Sequence, residues 1–209
     1  MAASRLKGKP LLEINNVPII CHVLNKAMET GLEAIVATED KEIVTAVEQN
    51  GGGKVILTGN HKTGTDRIFE AFKKLKIENV DYILNLQGDE PMIDPKDIIN
   101  LNKLMIKNNS DIGTLASEIK KDTMLTNENI VKVITEKKLE NNNFVKALNF
   151  LRKGLKKENS NIYHHIGIYC YKVSVLEKFI NLGQTKNEIK NRLEQLRALE
   201  NNIKINVAF

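Results

Sequence analysis

The chain has 209 residues, long enough for one domain with a sizeable core or for two small ones. Its 42% hydrophobic and 27% charged residues are those of a globular chain, and 5% aromatics without a tryptophan argue against a stacking platform for single-stranded nucleic acid. The net charge of +5 comes from scattered lysines, which suits anionic small substrates better than a nucleic-acid stripe.

Cys21 and Cys170 lie in separate apolar runs without CxxC partners, so buried reduced thiols are expected, with neither a disulfide framework nor a zinc site. No apolar stretch reaches membrane-spanning length, and no apolar segment follows the basic residues near Met1. Together these point to the cytoplasm without membrane insertion.

Residues 1–15 read as an irregular basic segment. Asn16 is expected to cap a helix with Pro18 in its first turn and Ile19, Ile20, Val23, Leu24 and Ala27 on its apolar face. A strand at 33–38 follows, then a helix capped by Thr38 or Asp40 and a strand at 54–58. The polar loop 59–67 leads into a helix carrying Ile68, Phe69, Phe72 and Leu75, with Thr65 as its expected cap. An apolar strand at 81–86 stops at Gln87-Gly88-Asp89, and Asp94-Pro95 opens another helix. This alternation predicts parallel βαβ units through about residue 108. Strands are then expected at 112–119, 130–135, 145–150 and 165–171, helices at 174–182 and 188–199, and a last strand at 203–209.

Asp89 just past the end of a strand is where an open α/β sheet binds ligands. A carboxylate there can hold magnesium, which takes a few carboxylate oxygens with phosphates and water; capping the following turn is the other reading. The basic run Ser4-Arg5-Leu6-Lys7-Gly8-Lys9-Pro10 can cradle a triphosphate but lacks P-loop spacing. Gly64 and Thr65 stand at a helix start, where free amides favour anions, and Arg67 can add to that. At period two His165, Gly167 and Tyr169 share one strand face and Ile166, Ile168 and Cys170 the other. On the last predicted helix Leu193, Leu196 and Leu199 form a packed stripe, with Glu194 and Arg197 able to pair on the surface.

Taken in order, Arg5-Leu6-x-Gly8-Lys9-Pro10-Leu11, Gly64-Thr65-Asp66-Arg67, Leu86-Gln87-Gly88-Asp89-Glu90-Pro91, His165-x-Gly167-x-Tyr169 and Leu193-Glu194-Gln195-Leu196-Arg197 resemble the 3-deoxy-manno-octulosonate (KDO) cytidylyltransferases, also called CMP-KDO synthetases. The resemblance runs through essentially the whole chain. It implies a Rossmann-like α/β nucleotidyltransferase fold, with a mostly parallel central sheet and helices on both faces, over one domain at 1–209. It also implies transfer of CMP from CTP to KDO with release of pyrophosphate, for lipopolysaccharide synthesis. By that resemblance Arg5 and Lys9 hold the triphosphate, Asp89 binds Mg2+, and Arg67, Gln87 and Gly88 lie at the nucleotide. Arg152, His165, Tyr169, Glu194 and Gln195 then grip KDO, and a homodimer is implied.

Two departures bear on the expectation. Family members carry a strand before the Ala-Ser-x-Arg segment and, past the last strand, a Val-Asp-Thr segment whose Asp is a second metal ligand. Their absence suggests a copy lacking the first central strand and one metal carboxylate, with 33–38 and 81–86 left unpaired to each other and the chain poorly stable and inactive. The rival readings are a CMP-sialate synthetase-like or other sugar nucleotidyltransferase, and an inactive nucleotide-binding fragment of the KDO enzyme.

Overall fold

The computed structural model describes residues 8–141, 143–153 and 161–209. They divide into two compact units. One holds the described residues through Val80 together with Asn85–Asn100, and the other holds Asp81–Leu84 and Leu101–Phe209.

In the first unit a short hairpin, β1 (Glu13–Ile14) and β2 (Val17–Pro18), precedes α1 (Ile19–Met28). Asn15 and Asn16, at φ 51° and 60°, form its two-residue turn. The reading of Asn16 as a helix cap is therefore corrected. Two adjacent left-handed residues make a turn whose twist matches an antiparallel pair, and asparagine tolerates that conformation. Pro18 stands at the cap position of α1 instead.

β3 (Ile35–Thr38), α2 (Lys41–Gln49) and β4 (Lys54–Leu57) follow, with β3 and β4 parallel as a βαβ unit requires. Ile20, Cys21, Leu24, Val36, Ile43 and Val47 pack into one core against Leu11, Val17, Ala34 and Val55. α3 (Gly64–Leu75) is capped by Thr63, whose hydroxyl oxygen accepts from the Asp66 amide at 3.1 Å. Thr65, expected in that role, is instead buried. Such a cap is worth about 1 kcal/mol.

β5 (Tyr82–Asn85) and α4 (Pro95–Asn108) come next, α4 beginning in the first unit and ending in the second. The second unit continues with β6 (Ile112–Ser117), α5 (Asp122–Thr126), β7 (Lys132–Thr135), β8 (Val145–Leu151), β9 (Ile162–Lys172), α6 (Val173–Ile180), α7 (Lys186–Asn191), α8 (Gln195–Glu200) and β10 (Ile205–Ala208). Its sheet runs β5-β9-β6-β10-β8-β7, and β7 also pairs β9, so the pairings from β9 through β6, β10, β8 and β7 return to β9. β6 and β10 are parallel, whereas β8 with β10, β6 with β9, and β7 with both β8 and β9 are antiparallel. The expectation of a mostly parallel sheet is corrected here. β7 and β8 are joined by a connection too short to hold a crossover helix, so they pair antiparallel. β3 and β5 belong to different sheets and are not hydrogen-bonded to each other.

Gly113 on β6 is needed for packing. A Cβ there would lie 2.5 Å from Met105 Sδ and 2.7 Å from Phe144 Cζ. The single helix expected at 188–199 is two. Arg192 adopts a left-handed conformation at φ 54°, ending α7 before α8 begins. Cys21 and Cys170 are buried free thiols, as expected.

Candidate functional site

The residues singled out from the sequence fall into two sets, one in each unit. Arg5 lies outside the described residues.

In the first unit the chain turns sharply after β5, with the Glu90 amide donating to Gln87 O at 3.2 Å. Gly88 sits within this turn, where a Cβ would come 2.8 Å from the Ile20 methyl, so a side chain would push the turn away. The turn carries Asp89 to Lys9, which follows Gly8 (φ 78°) in a single 3₁₀ turn. Lys9 Nζ donates to Asp89 Oδ2 at 2.7 Å. That hydrogen bond raises the Lys9 pKa despite the opposing effect of burial, and the charges of Asp89 and Glu90 add to it. Partial loss of solvent and the adjacent Asp89 charge push the Glu90 carboxyl up. A second ion pair joins Arg67 Nη2 on α3 to Glu39 Oε1 past β3 at 2.8 Å. Among the described residues Arg67 Nε is buried without an acceptor, a donor left over for a ligand.

Among the described residues no group of three or more metal-binding side chains forms. Magnesium does not need one, since it takes one or two carboxylates and completes its shell with phosphate oxygens and water. Asp89, crowded by Glu90 and facing a phosphate-compatible lysine, fits that donor set.

The second unit gathers the remaining set around β9. His165 and Tyr169 share a face, with ring centroids 5.4 Å apart, and Phe150 meets the His165 ring edge-on at 5.0 Å. Gly167, expected on the same face, falls instead in a bulge. Tyr169 pairs Thr114 and Ile166 pairs Leu115, so the register shifts across Gly167 and Ile168. The Thr114 hydroxyl takes up the bulge, donating to Ile168 O at 2.6 Å. Its single proton is thereby committed, so its oxygen accepts from His165 Nε2 at 2.9 Å. His165 is then the Nε2–H tautomer with Nδ1 as acceptor. Burial, aided by the neighbouring His164, lowers its pKa to about 3, which keeps the ring neutral. Burial, Tyr171 and the Glu194 charge hold the Tyr169 hydroxyl well above its usual range.

Glu194 occupies the cap position of α8 and Gln195 is its first residue. Arg197 stands 3.7 Å from Glu194 but bonds Glu188 through two nitrogens, at 2.9 and 2.5 Å, so the surface pair expected between Glu194 and Arg197 is a side contact of a buried ion pair. Arg152 sends Nε to Asn191 O (3.2 Å), Nη1 to Glu128 O (3.1 Å) and Nη2 to Arg192 O (3.5 Å). It thus braces the break between α7 and α8 that presents Glu194 and Gln195.

Thr114, Glu39, Glu188 and Lys132 were not singled out from sequence. Only Lys132 carried a signal there, a charge inside the apolar run Ile130-Val131-x-Val133-Ile134.

Residues 1–205 match the family model described as cytidylyltransferase. A 3-deoxy-manno-octulosonate cytidylyltransferase of Nitrobacter winogradskyi is 40% identical over 99% of this chain and 82% of its own length. One of Thermodesulfovibrio yellowstonii is 42% identical over 99% of this chain and 86% of its own. The solved structure of a CMP:2-keto-3-deoxy-manno-octonic acid synthetase complexed with CTP superposes with a TM-score of 0.85 at 35% identity, over 98% of this chain and 83% of that one. An apo UDP-glucose pyrophosphorylase superposes at 0.66 with 14% identity, over 96% of this chain and 81% of that one, a likeness of fold alone.

Proposed function

The chain belongs to the 3-deoxy-manno-octulosonate cytidylyltransferases, and from that premise we propose how its own residues transfer CMP from CTP to KDO, giving CMP-KDO and pyrophosphate for lipopolysaccharide synthesis. The structural observation that carries the reading is the ion pair of Lys9 with Asp89, formed across 80 positions of sequence by the two residues that the reaction needs at the triphosphate. The family match runs across both units, which supports one nucleotidyltransferase domain, and the 0.85 superposition supports a Rossmann-like arrangement.

The anomeric hydroxyl of KDO forms a bond to the α-phosphorus of CTP while the bond to the β-phosphate oxygen breaks. Pyrophosphate leaves and the hydroxyl proton goes to solvent. Such chemistry depends on alignment and charge neutralisation more than on an acid–base pair. Lys9, with Arg5 as its partner, supplies point charges to the triphosphate. Arg67, through its unpaired Nε, and Gln87 and Gly88 hold the nucleotide. Asp89 would hold Mg2+, which when bound neutralises phosphate charge and polarises the α-phosphate. His165, being neutral, accepts a sugar hydroxyl at Nδ1, while Tyr169 and Gln195 donate and Glu194 accepts. Arg152 contributes positive charge toward the sugar carboxylate. The working assembly is a homodimer in the cytoplasm.

The test is pyrophosphate release by the purified protein with CTP, KDO and Mg2+, omitting each in turn. Release is expected only with all three, and equal turnover with sialic acid in place of KDO overturns the substrate assignment.

A further inference from the structure

Lys132, the first residue of β7, is fully buried. Its ammonium donates to Asn127 O at 2.8 Å, Ile130 O at 3.0 Å and Arg152 O at 2.9 Å. An ammonium has three N–H donors, so neutral carbonyls fill its shell. Among the described residues no carboxylate pairs with it. Burial and the nearby Arg152 charge both push its pKa down, and among the described residues only Glu128 acts the other way.

Burying a charge without a counter-ion is expensive, and an apolar side chain of similar size would serve stability better. The charge therefore calls for another explanation. Its surroundings supply one. Lys132 lies directly across from His164 on β9, whose protonation its charge opposes. His165 is held neutral next to it. Arg152, whose carbonyl Lys132 grips, turns its guanidinium to the α7–α8 break. Two cations, joined through the Arg152 carbonyl, thus flank the strand that carries His165 and the helix break that precedes Glu194 and Gln195.

We infer that Lys132 is a positioning and specificity-determining residue for the acid sugar. Its buried charge sets a positive potential that favours a carboxylate-bearing sugar over a neutral one, and its carbonyl clamp fixes the strand end that braces Glu194 and Gln195. The inference rests on the proposed transfer to KDO.

Steady-state kinetics of the native protein, Lys132→Met and Glu128→Gln test it. Glu128 is exposed and its carboxylate pairs only with the exposed Lys153 among the described residues, at 2.7 Å, so its replacement does not threaten folding. Lys132→Met is expected to raise KM for KDO about tenfold or more while KM for CTP stays within about twofold. Glu128→Gln removes an opposing charge, so KM for KDO should fall about twofold at low ionic strength, an effect that added salt abolishes. An equal rise of both KM values in Lys132→Met marks a merely structural role and overturns the inference. So does an unmoved or increased KM for KDO in Glu128→Gln, which decides the matter alone if Lys132→Met does not fold. A native protein that makes no CMP-KDO sinks the proposed function and this inference with it; native turnover with KM for KDO unmoved in the variants sinks the inference alone.

Discussion

Replacing Arg197 by Met isolates the buried ion pair under the acid-sugar residues. Both partners are almost fully buried, Arg197 at 3% and Glu188 at 4% side-chain exposure, and two nitrogens bond the two carboxylate oxygens. The guanidinium also lies 4.8 Å from the Phe179 ring centre. Met keeps most of the apolar stem, so the loss is chiefly that of the charge. Stranding one member of a buried pair costs about 3–5 kcal/mol. With an m-value of about 2 kcal/mol/M, the urea midpoint should fall by about 1.5–2.5 M.

The pH dependence identifies the cause. In the native protein, burial raises the Glu188 pKa, but the bonds from Arg197, the Thr185 amide and Gln184 outweigh it and the net shift is downward. A depressed carboxylate stabilises above its unfolded pKa and loses that contribution as pH falls through the folded value. In Arg197→Met only burial, opposed by two weaker bonds, remains, so the carboxyl pKa rises and the folded state takes up a proton instead. The penalty should therefore shrink as pH falls from 7.5 to 5.

All four tyrosines, Tyr82, Tyr163, Tyr169 and Tyr171, lie in the second unit, and the chain has no tryptophan. Intrinsic fluorescence in a urea titration thus reports the unit that holds the pair. A penalty below about 1 kcal/mol at pH 7.5, the range of exposed pairs, refutes the reasoning. A penalty independent of pH refutes its electrostatic part.

His165, folded at about 3, should bind its proton mainly in the unfolded chain, which titrates at about 6.5. The unfolded state then holds more protons between these values, so stability is complete above about pH 6.5 and falls by about 1.4 kcal/mol per pH unit below it. Melting temperatures from pH 7.5 to 5 should show a shallower fall for His165→Gln than for the native protein, and an identical slope contradicts the buried neutral ring. Asp89→Asn should leave stability within about 1 kcal/mol, because its pair with Lys9 is partly solvated, at 38% and 28% side-chain exposure. Turnover by the same variant should fall by about a thousandfold or more in a pyrophosphate-release assay. Near-native turnover would reduce Asp89 to a turn residue.

Signals that repeat locally are legible in the residues alone. Apolar periodicity located α1, α2 and β3 to β6, and parity along β9 correctly put His165 and Tyr169 on one face. The motifs from Arg5 to Arg197 identified the family, because order and residue type survive without coordinates. Local turn chemistry was harder to read. Asn16 reads as a helix cap because asparagine serves caps and left-handed turns alike, and only the pairing of Glu13 with Pro18 decides between them. Leu193, Leu196 and Leu199 keep helical spacing across a broken helix, since periodicity does not record the one left-handed residue at Arg192.

The rest depends on which distant segments meet. Lys9 reaches Asp89 across 80 residues. Thr114 finds the Ile168 carbonyl only because β9 bulges opposite it. Lys132 is buried because the carbonyls of Asn127, Ile130 and Arg152 converge on one ammonium, and a lysine on a strand would otherwise extend its charge to water. A side chain's type is written in the sequence, but its solvation and its partners are properties of the folded path, and these set whether its charge supports the fold or the site.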